Sequence, residues 1–153
     1  MQSSHAPTTQ SSETPRAQRE ARLSPWGWIA LGSAVGMALG AFGPWARALG
    51  ASVSGLDGNN DGWFVVAFAV VAALSVVLYE SGSGSGWAGI AIVFGLSGAG
   101  VAWYDRSKVD ELTSGEFDLV QVGWGLNLAL VASVAVIIAS VFLAASKSSN
   151  RRG

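Results

Sequence analysis

The chain has 153 residues, half of them apolar and 12% charged, with a formal net charge of −1. An ordinary soluble domain carries about 25% charged residues, so the composition points away from a water-surrounded fold, and no nucleic-acid partner is expected. With no cysteine, disulfide, thiolate–metal and thiol-nucleophile chemistry are excluded.

Residues 1–22 (MQSSHAPTTQSSETPRAQREAR) hold the one histidine, His5, and show no apolar periodicity. They read as a disordered cytoplasmic tail, because nothing in them buries enough surface to offset chain entropy. The rest of the charge deficit is concentrated. No Asp, Glu, Lys, Arg or His occurs in 23–46, 62–79, 81–104 or 119–146, and about 20 such residues cross a hydrocarbon core. Spans are placed at Trp26–Trp45, Trp63–Tyr79, Trp87–Tyr104 and about Val122–Ala145. The expected fold is an all-α membrane protein: a four-transmembrane-helix bundle over 23–146, short extracellular loops carrying a small β-element, and a cytoplasmic tail at 147–153.

The aromatic residues provide a check independent of hydropathy. Trp26, Trp28, Trp45, Trp63, Trp87, Trp103 and Trp124, with Tyr79 and Tyr104, all fall at span ends. Indole and phenol rings favour the headgroup region, so these Trp read as interface anchors. Arg16, Arg19 and Arg22 precede the first span, and Lys147, Arg151 and Arg152 follow the last. The opposite side carries Asp57, Asp61, Asp105, Asp110, Glu111, Glu116 and Asp118 against three basic residues, Arg47, Arg106 and Lys108. The positive-inside rule then puts both termini in the cytoplasm of a multi-pass inner (plasma) membrane protein. A cleaved signal peptide ending at Ala46-Arg47-Ala48 is the rival reading, disfavoured by the length of the first apolar run.

Helices meet in lipid through small residues. Gly32-xxx-Gly36-xxx-Gly40 is a tandem GxxxG on the first span, followed by Ala69/Ala73, Gly95/Ala99 and Ala135/Ala139 on the others. They serve the bundle itself, a homo-oligomer, or both. Gly43-Pro44 ends or kinks the first span. No carboxylate, His or Arg lies within a span, which argues against an ion-coupled carrier. Asn127 is expected to hydrogen-bond a neighbouring helix.

The loop Asp57-Gly-Asn-Asn-Asp61-Gly62 fits the first half of an EF-hand. The twelfth position, where a bidentate Glu is needed, is Phe68. Asp57, Asn59 and Asp61 are thus read first as an Asx-type turn with Asp61 capping the second span. A weak cation site is the alternative, and no cofactor is expected. Ala51–Gly55 and Phe117–Val122 alternate as short strands, which could pair, making the 54–62 stretch the return from strand to helix.

Three fragments, 39–63 (LGAFGPWARALGASVSGLDGNNDGW), the apolar second span and 120–131 (VQVGWGLNLALV), together resemble small four-helix integral membrane proteins of actinobacteria. The shared marks are a Gly-Pro-Trp ending the first helix, an S-G-x-D-G…D-G-W loop and a V-G-W-G-L start to the last helix. The D-G-N-N-D-G run is longer here than in that group. The resemblance implies a fold and a membrane location, and supplies no catalytic residue. The expected function is non-enzymatic: an envelope protein that acts through protein–protein contact as an accessory, sensor or scaffold, with the bilayer, a second copy or another membrane protein as partner. The alternative is an oligomeric pore, holin-like or exclusion protein.

Overall fold

The computed structural model describes residues 23–48, 50–57, 61–113 and 120–149. The expected tail disorder, Asn59 and the Phe117–Leu119 part of the second expected strand lie outside them. The elements in chain order are α1 (Pro25–Phe42), β1 (Pro44–Ala48), β2 (Ala51–Ser54), α2 (Asp61–Glu80), α3 (Gly86–Thr113), β3 (Val120–Val122) and α4 (Trp124–Ser149). At 1.5 Å per residue the helices are about 27, 30, 42 and 39 Å long.

Local chemistry sets most of the boundaries. Ser24 caps α1, its hydroxyl accepting the Gly27 N–H at 3.1 Å, and Pro25 opens the helix. The helix stops at Phe42, short of the expected Trp45, because Pro44 lacks an N–H and its ring excludes a continuing turn. The Gly43 N–H closes the last turn on the Leu39 and Gly40 carbonyls. In contrast, α3 overruns its expected end at Tyr104. Its polar continuation from Asp105 to Thr113 is helical rather than loop, since nothing between Tyr104 and Thr113 breaks a helix.

The four helices form a ring in which α1 packs on α2 and α4, and α3 packs on α2 and α4. Both diagonals are sparse. Contacts such as Trp26 stacked on Phe142 at 4.7 Å, Ser24 bonded to Glu80 and Arg106 bonded to Asn127 show that neighbours run antiparallel. One end of the bundle, the tail end, carries Ser24, the Ser81–Ser85 connection and Ser149. The other, the sheet end, carries the three strands.

The strand pairing differs from the expectation. Ala51–Ser54 and Val120–Val122 do not touch each other; β1 lies between them, antiparallel to both, in the order β2–β1–β3. Pro44 ends the helix and leaves the next residues extended, so they contribute a central strand in place of the expected helix end and loop. Gly50, at φ 83°, closes the β1–β2 connection.

Packing is inverted relative to a soluble bundle. Alanine supplies much of the interior: Ala30, Ala34, Ala41, Ala69, Ala72, Ala91, Ala102, Ala129 and Ala139 are buried, joined by Ser75, Ser133 and Ser140. Larger residues point outward instead, among them Val35, Leu39, Val70, Leu74, Val93, Leu96, Val131, Ile138 and Phe142. Water would penalise such an exterior, whereas lipid accepts it and leaves close backbone approach as the basis of helix association. All four helices are long and apolar enough to cross a bilayer, as expected of a multi-pass membrane protein. The largest apolar side chains that are fully buried are Met37, Val65, Val76, Leu126 and Val136.

Candidate functional site at the sheet end

The sheet is anchored by one residue, Trp45. Along β1 and β2, Pro44 opposes Ser54 and Ala46 opposes Val53, so Trp45 is the extra residue of a β-bulge. A bulge re-aims a side chain, and here it turns the indole into the bundle. The ring is 7% exposed and its Nε1–H donates to the Gly40 carbonyl at 3.0 Å. That carbonyl belongs to the last turn of α1, where the usual i+4 donors are missing, and it is shared with the Gly43 N–H. The Trp45 carbonyl in turn accepts the Gly123 N–H at 2.8 Å, tying β1 to the start of α4. Trp45 is therefore not the headgroup anchor expected. The bulge faces it inward, while Trp28, Trp63, Trp103 and Trp124 are well exposed at the two ends. Trp26 is at the margin of exposure, stacked on Phe142, and Trp87 is half-buried. Tyr79, too, is buried.

Close approach around Trp45 explains the glycine-rich sequence. A Cβ on Gly55 would lie 2.3 Å from the indole, and one on Gly123 would lie 1.9 Å from the Pro44 carbonyl oxygen. The tandem GxxxG divides along its length. Gly40 meets the Ala129 backbone, where a Cβ would come within 2.5 Å, and Gly36 only grazes the Ala132 side chain. Gly32 is exposed, with nothing within 4 Å of a Cβ. The tight part of the motif is used inside the molecule, against α4.

Ser54–Asp57 folds as a turn. The Asp57 carboxylate accepts from the Ser54 hydroxyl at 2.7 Å and its N–H at 3.4 Å, and the Asp57 N–H returns to the Ser54 carbonyl. The Gly62 N–H donates to the Gly55 carbonyl at 3.0 Å. Asp61 opens α2, where a carboxylate faces the positive end of the helix dipole. Among the described residues no group of three or more His, Cys, Asp or Glu is placed to hold a metal ion.

Comparison with protein-family models, curated proteins and solved structures found no match. The site must be judged on its own geometry.

Beyond the apolar stretch of α3, Asp105 meets the start of α2. Burial, then the nearby Asp61 carboxylate, push the Asp105 carboxyl up from 3.8 to about 6, against the opposing pull of Lys108. Its Oδ2 is buried without a hydrogen-bond partner. Next to it, Arg106 donates to the Asn127 side chain on α4, and its Nε lies 3.8 Å from Asp110 one turn on. Asn127 thus meets a neighbouring helix, as expected. Lys108 lies over the Tyr104 ring at 4.8 Å. The result is a polar collar joining α2, α3 and α4 beneath the sheet. The sequence signalled Asp105 only as one of several loop acids. Its helical position beside Asp61 depends on how α2 and α3 pack.

Proposed function

We propose that this chain is a non-enzymatic integral membrane protein of the bacterial cell envelope that presents the sheet end as a docking platform. The observation that carries the reading is the platform itself. A three-stranded sheet is held rigidly by the buried Trp45 over helices that expose bulky apolar side chains. Ala51, Ser52 and Val53 of the edge strand β2 remain exposed, and an open strand edge is a ready template for another chain. The collar contributes bracing and charge, not a nucleophile–base pair. Exposed Trp at both ends supports seating in the bilayer, and the charge distribution supports a plasma membrane orientation with both termini cytoplasmic and the sheet outside.

The pore alternative finds less support. Met37, Val65, Val76, Leu126 and Val136 are fully buried within a single chain, so conduction would be expected of several copies, for which the exposed Gly32 segment of α1 offers one surface.

The absence of cysteine permits a clean test. Ser52→Cys and Ser83→Cys, both at exposed positions, are treated in intact cells with an impermeant thiol reagent. Labelling of the first alone supports the orientation, and labelling of the second alone reverses it. A photo-cross-linker at Val53 should then capture a specific partner or a second copy, and recovery of neither would sink the docking role.

A further inference from the structure

At the tail end, α2, the Ser81–Ser85 connection and α4 enclose a cavity of about 360 Å³, lined by Tyr79, Gly84, Ser85, Ala144, Lys147 and Ser148 among others. That volume is at the small end for a ligand site. Its lining combines the apolar Tyr79 and Ala144 with the polar Ser85, Lys147 and Ser148. The Lys147 ammonium is held by one hydrogen bond to the Tyr79 carbonyl at 2.8 Å and by the Tyr79 ring at 4.5 Å. An ammonium has three N–H donors, so two remain. Among the described residues no carboxylate pairs with it. Glu80, the nearest acid in sequence, is engaged on the opposite side, where the Ser24 hydroxyl donates to it.

The cavity also lies at the start of α3. Unlike α1, this helix has no side-chain cap on its first-turn N–H groups among the described residues. Ser148 spends its hydroxyl proton on the Ala145 carbonyl at 2.9 Å, which leaves a fixed cation, the Ser85 hydroxyl and an uncapped helix start beside one hollow, a set that matches an anion carrying several acceptor oxygens. The location selects its source. The hollow is lined by the last residues of the apolar run of α2 and of α4, beside Lys147, the level where headgroups lie if the helices cross a bilayer.

We infer that this cavity binds the phosphate group of an anionic phospholipid headgroup, with Lys147 as the charge partner and Ala144 and Tyr79 under its glycerol. The inference rests on the membrane reading above. Its chemistry is a phosphate, whatever the source.

The full chain, purified in mild detergent, is titrated with short-chain phosphatidylglycerol, with phosphatidylcholine of the same chain length, and with inorganic phosphate, and bound species are counted by native mass spectrometry. Phosphatidylglycerol should bind roughly five-fold or more tightly than phosphatidylcholine, the effect of about one well-placed lysine. Lys147→Gln and Ala144→Phe, which fills the hollow, should each abolish that preference, and Lys147→Arg should keep most of it. Arg151→Gln/Arg152→Gln, which removes charge from the tail instead, should leave the preference largely intact. Equal binding of the two lipids overturns the inference, as does an unchanged Lys147→Gln protein. An equal loss in the tail variant overturns it in favour of diffuse surface charge. Inorganic phosphate that binds as tightly as the lipid overturns the lipid assignment. Recovery of the chain in the soluble fraction without detergent would refute the membrane reading separately, and the inorganic phosphate arm on that material would still decide whether the cavity takes a phosphate.

Discussion

Replacing Trp45 by Phe removes the indole N–H that reaches the Gly40 carbonyl and also the part of the bicyclic ring that packs on Gly55. That bond ties β1 to the end of α1, so the change should cost at least about 1 kcal/mol, the usual net value of a buried hydrogen bond, with the space left by the smaller ring adding to it. Unfolding in detergent, followed by near-ultraviolet circular dichroism, would read this directly, and an unchanged midpoint would show that the bulge is held by its backbone alone. Asp105 yields a prediction in pH. Its folded pKa of about 6 lies above the ordinary 3.8, so the folded protein holds the proton more tightly than the unfolded chain. Stability is therefore highest below about pH 4 as far as this group is concerned, and is lost as pH rises through about 6. Asp105→Asn, which stays neutral, should be more stable than the parent at pH 7 and indistinguishable from it near pH 4. A parent–variant difference that does not change over this range would show that burial and Asp61 do not act on the carboxyl as described.

At the scale of elements, the α1–α4 pair governs the bundle. Gly40 sits where any side chain would strike the Ala129 backbone, whereas Gly32 on the same helix faces open space. Gly40→Ala should therefore destabilise the fold by about 1–3 kcal/mol through overpacking. Gly32→Ala should be neutral or stabilising by up to about 1 kcal/mol, from helix propensity alone. Parallel denaturant titrations in one detergent would compare them. A Gly32→Ala protein that unfolds as readily as Gly40→Ala would mean that the outward half of the motif is also buried, by a second copy. The strands are a second lesson at this scale. They are individually too short to persist, and exist because Trp45 and the Gly123 N–H fasten β1 to the ends of α1 and α4.

For the molecule as a whole, the decisive property is the exchange of large and small side chains between surface and interior. Ile138 is half-exposed in the middle of α4. If lipid surrounds it, Ile138→Lys should cost about 2.5–3.5 kcal/mol in insertion and lower the amount of chain recovered in membranes. In water the same change would be harmless. Quantifying membrane-integrated protein for this variant beside Ile138→Leu separates the two environments with one residue.

Helix number and the break at Gly43-Pro44 were legible in the chain because each depends on local composition: runs without charge and a proline without an N–H. The turn at Ser54–Asp57 was legible for the same reason, since its bonds join residues three apart. Nothing local could distinguish Trp45 from its six counterparts. Its inward aim comes from a bulge, and the bulge exists only when β2 and β3 close on the two sides of β1. The division of the tandem glycines, the meeting of Asp105 with Asp61 and the hollow beside Lys147 have the same origin. Each depends on residues far apart in the chain becoming neighbours, which is decided by how four helices pack and not by what any one of them contains.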